Sequence, residues 1–179
     1  MAGLQNYLQL RARVDDLCAT IVAQLAEHLA CGPGCDSCCR ALALFPVEAQ
    51  VVQQAVAELP PAKIERIRQR RRSAANECCP FLEDGLCLVY EARPIICRTH
   101  GLPILLSEAG ESRVDFCPRN FVGLESLPGN AVIQLDQLNT ILVVVNQAFV
   151  AEAYGDSLPP ERVSMAEIID GIGRATVKP

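Results

Sequence analysis

The chain contains no tryptophan, and aromatic residues make up only 4% of its 179 residues. Half of the residues are nevertheless apolar. The core must therefore consist mainly of aliphatic side chains rather than large rings. At this length one domain is the default and the chain is long enough for a proper core, so we interpret residues 1–179 as a single domain.

Lysine and histidine are almost missing as well. Positive charge is carried nearly entirely by arginine, and the formal net charge is −5. An acidic chain lacks the basic footprint of a dedicated nucleic-acid binder, so we do not expect nucleic acid as a partner. We do not assign the two histidines, His28 and His100, as metal ligands, because a lone histidine more often packs or forms hydrogen bonds.

Long apolar runs are also lacking. The most apolar helical stretch, residues 131–150, is interrupted by several polar side chains and is too polar for a membrane span. Residues 1–13 interrupt every apolar stretch with Gln, Asn or Arg and do not resemble a secretory signal. We therefore expect a soluble cytoplasmic protein without a membrane partner, in a compartment that keeps thiols reduced.

Cysteine, in contrast, is abundant. The ten cysteines are Cys18, Cys31, Cys35, Cys38, Cys39, Cys78, Cys79, Cys87, Cys97 and Cys117. Four of them lie in the window 31–39, which reads Cys-Gly-Pro-Gly-Cys-Asp-Ser-Cys-Cys. In a reducing compartment such a pattern indicates metal binding rather than disulfides. Thiolates are soft, anionic ligands that suit zinc or an iron–sulfur cluster.

The spacing of the cysteines predicts how they are used. Cys31, Cys35 and Cys38 have the spacing C-x3-C-x2-C on a glycine-rich turn, which lets neighbouring thiolates converge on one centre. Cys39 points away from Cys38, and it serves a second metal or is an inert core thiol. The later cysteines at 79, 87 and 97 are too widely spaced for a zinc ribbon by themselves. They would supply the missing ligands from across the fold.

Apolar periodicity predicts a mainly α fold, with helices at about 3–30, from Pro46, from Pro61 to about Asn76, at 131–154 and at 162–171. A short helix is also predicted between Pro94 and His100, with Gly101 as its stop. From Cys78 to about Gly129 regular periodicity disappears, and metal ligation would organise this stretch. We therefore predict a small helical domain with an irregular, cysteine-rich segment clamped by metal.

Two polar features lie beside the cysteines. Five arginines form a run on the third helix at positions 66, 68, 70, 71 and 72. We interpret this run as a solvated helix face near the C-terminal dipole rather than as a site for an anionic partner. We expect Glu91 and Arg93, in Tyr-Glu-Ala-Arg-Pro at 90–94, to have a structural role near the cysteine loop.

Taken together, the cysteine motifs resemble the YkgJ-type cysteine-cluster family. They are Cys31-x3-Cys35-x2-Cys38-Cys39, Cys79-Pro-Phe-Leu, Gly85-x-Cys87-x2-Tyr-Glu-x-Arg-Pro-x2-Cys97-Arg, and Cys117-Pro. The resemblance runs from Cys31 to Cys117 and implies a zinc- or iron-chelating domain. The metal ligands that it implies are Cys31, Cys35, Cys38, Cys39, Cys79, Cys87, Cys97 and Cys117. Cys18 and Cys78 fall outside the pattern, and we expect both to be packing residues.

Two functions from different classes remain after this step. The leading one is a non-catalytic protein that holds an iron–sulfur centre or zinc. The alternative, by resemblance to a domain of flagellin lysine N-methylases, is an enzyme or subunit of protein-lysine methylation, although no G-x-G-x-x-G sequence supports it. The spacing C-x3-C-x2-C also occurs in radical S-adenosylmethionine enzymes, but the βαβ alternation of their barrel is missing.

The choice of metal depends on ligand spacing. Zinc favours two short C-x2-C pairs, and only Cys35 and Cys38 form one. An iron–sulfur cluster tolerates a three-cysteine loop with a distant fourth ligand, for which Cys97 or Cys79 is available. The spacing therefore favours iron slightly over zinc.

Overall fold

The computed structural model describes residues 1–73, 78–108 and 110–172, with the side chains at 72, 73 and 108 excepted. The helices are α1 (Ala2–Gln24), α2 (Pro46–Ala57), α3 (Pro61–Ser73), α4 (Ile95–Thr99), α5 (Leu135–Tyr154) and α6 (Met165–Gly171). Single 3-10 turns lie at Ala26–His28, Tyr90–Ala92 and Gly129–Ala131. The prediction of a mainly helical fold is thus confirmed. None of the helices in these ranges is both long and apolar enough to cross a membrane.

The core forms where α1 and α5 lie side by side. The inner stripe of α1 buries Tyr7, Val14 and Ile21, as the apolar periodicity predicted. Near its start α1 approaches α5 so closely that a β-carbon on Gly3 would stand 2.4 Å from the backbone of Phe149. Glycine at position 3 therefore sets the distance between the two longest helices.

The boundaries of the helices differ from the predicted ones by a few residues. The first helix ends at Gln24 and continues only as a 3-10 turn, so it is shorter than the predicted 3–30. The fifth begins at Leu135 rather than at 131, because the chain from 129 to 134 forms a 3-10 turn and a short strand first. The predicted end of the third helix near Asn76 lies outside the described residues.

The N-terminus of α2 is fixed to the short helix α4 by one buried carboxylate. Glu48, which is 3% exposed, accepts hydrogen bonds from the backbone N–H groups of Phe45 (3.3 Å) and Ile95 (3.0 Å). The sequence predicted only a favourable charge at the helix N-terminus. The second bond, to Ile95, positions the helix that carries Cys97.

The strands are short and form three small sheets. Strand β1 (Ala43–Leu44) pairs antiparallel with β7 (Val163–Ser164), and β2 (Leu82–Glu83) forms a hairpin with β3 (Leu86–Cys87). Strand β4 (Ile104–Glu108) pairs antiparallel with β5 (Glu111–Asp115) and parallel with β6 (Ile133–Gln134).

The stretch 78–129, for which only a short helix between Pro94 and His100 was predicted, contains that helix as α4 and also two hairpins. Its apolar side chains are also built into the common core, with Phe81, Ile95 and Phe121 each exposed by no more than 4%. These contacts organise much of the stretch by ordinary apolar burial. A metal clamp on it stays a prediction.

The arginine-rich helix α3 is tied to the β2–β3 hairpin. The carboxylate of Glu83 accepts hydrogen bonds from Lys63 (3.0 Å), Arg66 (2.9 Å) and Arg70 (3.0 Å). These bonds lower the pKa of Glu83 to about 2, and the bond from Lys63 makes the largest contribution. On the next turn Arg71 forms an ion pair with Asp170 of α6. Much of the arginine run therefore pairs within the chain, and its interpretation as a merely solvated face was incomplete.

We expect Glu83→Gln to lower the free energy of unfolding at neutral pH and to lose this effect in acid. A carboxyl group with a lowered pKa contributes stability above its unfolded value of about 4.3, and the contribution is lost as the pH falls through the folded value. Urea unfolding of the wild-type and variant proteins between pH 7 and pH 2 measures the difference. Glu65→Gln, which removes an exposed carboxylate 3.9 Å from Arg68, is the matched control. A difference that persists unchanged at pH 2 would contradict this role.

Candidate metal centre

The first group of cysteines forms where the loop 30–41 meets the turn after α4. A β-carbon at Gly101 would stand 3.3 Å from the Sγ atom of Cys31 and 3.5 Å from the Cβ atom of Cys117. Cys31 and Cys117 therefore lie against the same backbone position although they are far apart in sequence. Gly101 has a φ of +91°, and its missing side chain leaves room for both cysteines.

Asn120 connects the parts of this first group. It is 1% exposed, and its Nδ2 atom donates to the Sγ atom of Cys31 (3.2 Å) and to the carbonyl oxygen of Gly101 (2.8 Å). Its Oδ1 atom accepts a hydrogen bond from the backbone N–H of Ala30 (2.9 Å), and its own N–H donates to the carbonyl of Cys117. The sequence analysis missed this residue, because nothing in a local pattern marks an asparagine as buried.

Cys35 and Cys38 complete the first group. The guanidinium of Arg119 donates to the Sγ atom of Cys35 at 3.6 Å. Burial raises the pKa of Cys38, and the nearby Cys39, Cys35 and Cys31 thiols raise it further. The Cys35 and Cys31 thiols thus lie near enough to Cys38 to raise its pKa, and the turn at Gly101 places Cys117 beside Cys31.

The second group consists of Cys39, Cys79, Cys87 and Cys97. The backbone N–H of Cys79 donates to the carbonyl of Cys39 at 3.2 Å, which places these two residues side by side. Cys87 lies in β3 opposite Leu82, and the N–H of Leu82 closes a turn on the carbonyl of Cys79. Cys97 approaches from helix α4.

Burial and the neighbouring thiols raise the pKa values in the second group. Burial raises the pKa of Cys97 to about 12, and the Cys79 and Cys87 thiols contribute to the increase. Burial likewise raises the pKa of Cys79 to about 11, with Cys87 and Cys39 contributing. The pKa of Cys39 is raised by burial and next by Cys87. Thiols in this setting stay protonated unless a cation compensates the thiolate charge.

Arg98 holds the helix that carries Cys97. Its Nη1 atom forms two hydrogen bonds with the carboxylate of Asp15 on α1, at 2.6 and 2.8 Å. Its Nε atom donates to the carbonyl of Arg93 (2.8 Å), and the group also reaches the carbonyl of Glu91. Arg93 itself stacks on the ring of Tyr90 at 3.5 Å. The expected structural role of this motif agrees with these contacts.

The two cysteines outside the pattern behave differently from each other. Cys18 packs against the core, and its thiol lies 3.7 Å from the carbonyl oxygen of Arg98. Burial raises its pKa to about 11, as expected for a packing residue. Cys78, in contrast, is exposed and forms only an isolated β-bridge with Arg40. The prediction that Cys78 packs in the core is wrong.

The eight thiols fit a metal by their chemistry, although they are not yet in ligand geometry. Within the described ranges, no three side chains of Cys, His, Asp or Glu are arranged to hold one metal ion. Each group nevertheless offers four soft donors. The N–H groups of Asn120 and Arg119 also point at sulfur atoms, where they would stabilise thiolates. The sulfur atoms of each group must draw closer together when a metal binds.

We expect Asn120→Ala to weaken metal binding by the first group about 10- to 100-fold, the usual cost of losing a hydrogen-bond partner of a metal ligand. The second group should keep its affinity, since Asn120 has no recorded bond to it. Competition with a chromophoric chelator measures both affinities. Asn139→Ala, at an exposed position of α5, is the matched control. Equal weakening of both groups would indicate a general loss of folding instead.

Comparison with known proteins identifies the family. Residues 30–118, about half of the chain, match the model of the CxxCxxCC family, described as a putative zinc- or iron-chelating domain. No curated protein and no solved structure matches the chain. The matched range includes both groups of four cysteines, and it confirms the resemblance noted in the sequence. The chain therefore belongs to the CxxCxxCC family of cysteine-cluster domains.

Proposed function

We propose that this protein is a cytoplasmic metal-binding protein with two metal centres, one in each group of four cysteines. The observation that supports the proposal most is that Cys31 and Cys117 lie together at Gly101, whereas Cys79 lies beside Cys39, which allows the eight family cysteines to be assigned to two groups of four. Four thiolates complete the coordination of a zinc ion, and four also hold an iron–sulfur cluster. A single group of eight cysteines, or a group of three with the other five far apart, would fit neither a zinc site nor an iron–sulfur cluster as well.

The ligands of the first centre are Cys31, Cys35, Cys38 and Cys117. Cys117 takes the place of the distant fourth ligand, for which the sequence offered Cys97 or Cys79, because Cys117 lies with Cys31 against Gly101. The ligands of the second centre are Cys39, Cys79, Cys87 and Cys97. The proposal assigns the consecutive Cys38 and Cys39 to different centres, so their neighbouring thiols would have to separate when both centres are filled.

Between the two metals we propose iron–sulfur chemistry over zinc. The support is the three-cysteine loop with a distant fourth ligand, which is typical of iron–sulfur sites. The thiols of the second group are partly buried, so their thiolate forms need a nearby positive charge. An iron–sulfur centre would supply that charge. The proposed role is to hold metal rather than to catalyse a reaction, and methyl transfer receives no support from the comparisons.

The test is purification without oxygen, followed by metal and sulfide analysis and an absorption spectrum. The proposal predicts a brown protein with iron, inorganic sulfide and enough metal for two centres in each chain. If the protein instead contains two zinc ions per chain and no sulfide, the metal is zinc rather than iron, and the assignment of two centres stands. Metal sufficient for only one centre would overturn the proposal. A colourless preparation made in air is not a test, since oxygen destroys such clusters.

A further inference from the structure

The two groups of cysteines differ in how firmly the fold holds them. The loop 30–41 carries three ligands of the first group, and none of its side chains is buried. Cys31 and Cys38 are exposed, and Cys35 is half-buried. Within the loop, the backbone forms only two local turns, from Cys35 to Gly32 and from Cys39 to Asp36. Asn120 holds the start of the loop at Ala30, and Cys78 and Cys79 hold its end at Arg40 and Cys39. Opening the part between these contacts costs little free energy.

The second group lies against the core. All four of its cysteines are at least partly buried, and the Sγ atom of Cys79 lies 3.9 Å from the sulfur of Met165, which is 3% exposed. Cys97 lies on α4 between the buried Ile95 and Thr99. Moving this cysteine requires disruption of core contacts and of the Arg98–Asp15 pair. Except for Cys39, which lies in the loop 30–41, the ligands of the second group are thus much harder to release.

A cavity of about 630 Å³ opens beside the first group, and a smaller one of about 490 Å³ touches the second group at Cys87. Cys38 and Cys117 are on the wall of the larger cavity, and apolar side chains, among them Leu102, Phe116 and Leu135, form much of the rest. This volume is ordinary for a small-molecule site. A molecule in the cavity would lie directly against two of the proposed ligands.

The cavity also contains a cation that has no carboxylate partner in the described part of the chain. Arg40 lines it, and within the described residues its guanidinium forms no recorded ion pair or hydrogen bond. The second arginine there, Arg119, donates to Cys35, and the acidic residue, Asp115, lies 3.9 Å from Arg113. Arg40 and Arg119 would therefore both attract an incoming anion, and Arg40 is the one that is not bonded to a proposed ligand.

We propose, resting on the two-centre function above, that the first centre transfers its metal through this cavity to an anionic thiol compound, while the second centre retains its metal. In this step an acceptor thiol loses its proton and its sulfur binds the metal, and the Cys38 sulfur leaves and takes up a proton. Repetition at the other ligands completes the transfer. Nothing is oxidised or reduced, and the number of metal–sulfur bonds is conserved.

The first test follows metal release from protein loaded with Co²⁺ without oxygen, whose thiolate absorption reports each centre. The acceptor is dimercaptosuccinate, which carries two thiols and two carboxylates. We expect two phases, the first at least about tenfold faster than the second, because local opening differs between the groups. Cys38→Ser should lack the fast phase, and Cys97→Ser or, if that variant does not fold, Cys87→Ser should lack the slow one.

The second test concerns Arg40. In the wild-type protein, dimercaptosuccinate should release the fast metal about tenfold faster than 2,3-dimercaptopropanol, which also has two thiols on adjacent carbons but no carboxylate. Arg40→Ala should remove this preference. Arg13→Ala, which deletes an exposed arginine of α1 that does not line the cavity, should keep it.

The outcomes separate this proposal from the proposed function. Protein that takes up Co²⁺ for only one centre would contradict the two-centre function itself. Two bound ions that leave in a single phase, or phases assigned to the opposite groups, would overturn the transfer site and leave the two centres intact. An unchanged preference for the carboxylated thiol in Arg40→Ala would overturn the role of the cavity.

Discussion

Removing the metal with a chelator should make the chain susceptible to trypsin after Arg40, while the bond after Arg98 stays protected. The loop 30–41 has no buried side chain, so we expect metal ligation to be its main anchor. Structural metal sites contribute on the order of 10 kcal/mol, comparable with the stability of a whole domain. Arg98, in contrast, is 6% exposed and paired with Asp15 by contacts that do not involve metal.

Limited proteolysis with mass spectrometry, on metal-loaded and chelator-treated protein, measures this effect. The sequence predicted that metal holds the whole stretch 78–129, but the burial of Phe81, Ile95 and Phe121 concentrates the expected dependence in the loop. Equal cleavage after Arg40 and Arg98 in the treated protein would support the prediction that metal holds the whole stretch 78–129. No cleavage after Arg40 would show that metal does not anchor the loop.

Serine in place of one cysteine of each group should remove one centre and leave the other. We expect Cys35→Ser to lose the metal of the first centre and Cys97→Ser that of the second, because a closed four-thiolate site cannot lose a ligand without a large loss of affinity. The double variant should bind no metal. Metal analysis per chain, with sulfide where iron is present, measures each loss.

Cys18→Ala and Cys78→Ala are the controls for this experiment. Both cysteines lie outside the proposed groups, and both variants should keep their full metal content. Cys78 tests the assignment more stringently, since it is exposed and adjacent to a proposed ligand, Cys79. A loss of metal in either control would show that the division into two groups of four is incomplete. Loss of both centres in Cys35→Ser alone would show that the centres are not independent.

The sequence was sufficient to predict features that depend on local order. The apolar stripes of α1 and α5 have the period of a helix, so both helices could be predicted to within a few residues. The cysteine motifs identified the family, because they are short and contiguous. Strands β4 and β5 could not be predicted in this way. All side chains of β5 are exposed, so its sequence lacks the alternation that marks a half-buried strand.

The tertiary structure alone decided which cysteines lie together. The spacing of the first loop could bring three thiols together, but Cys117 joins them only because the turn at Gly101 and the buried Asn120 lie between distant parts of the chain. Glu83 likewise meets the cations of α3 only after the hairpin packs on that helix. Sequence spacing restricts which neighbours can share a centre, since the chain has limited reach. Partners from distant segments are selected by the packing of the elements that carry them, and no local pattern records that packing.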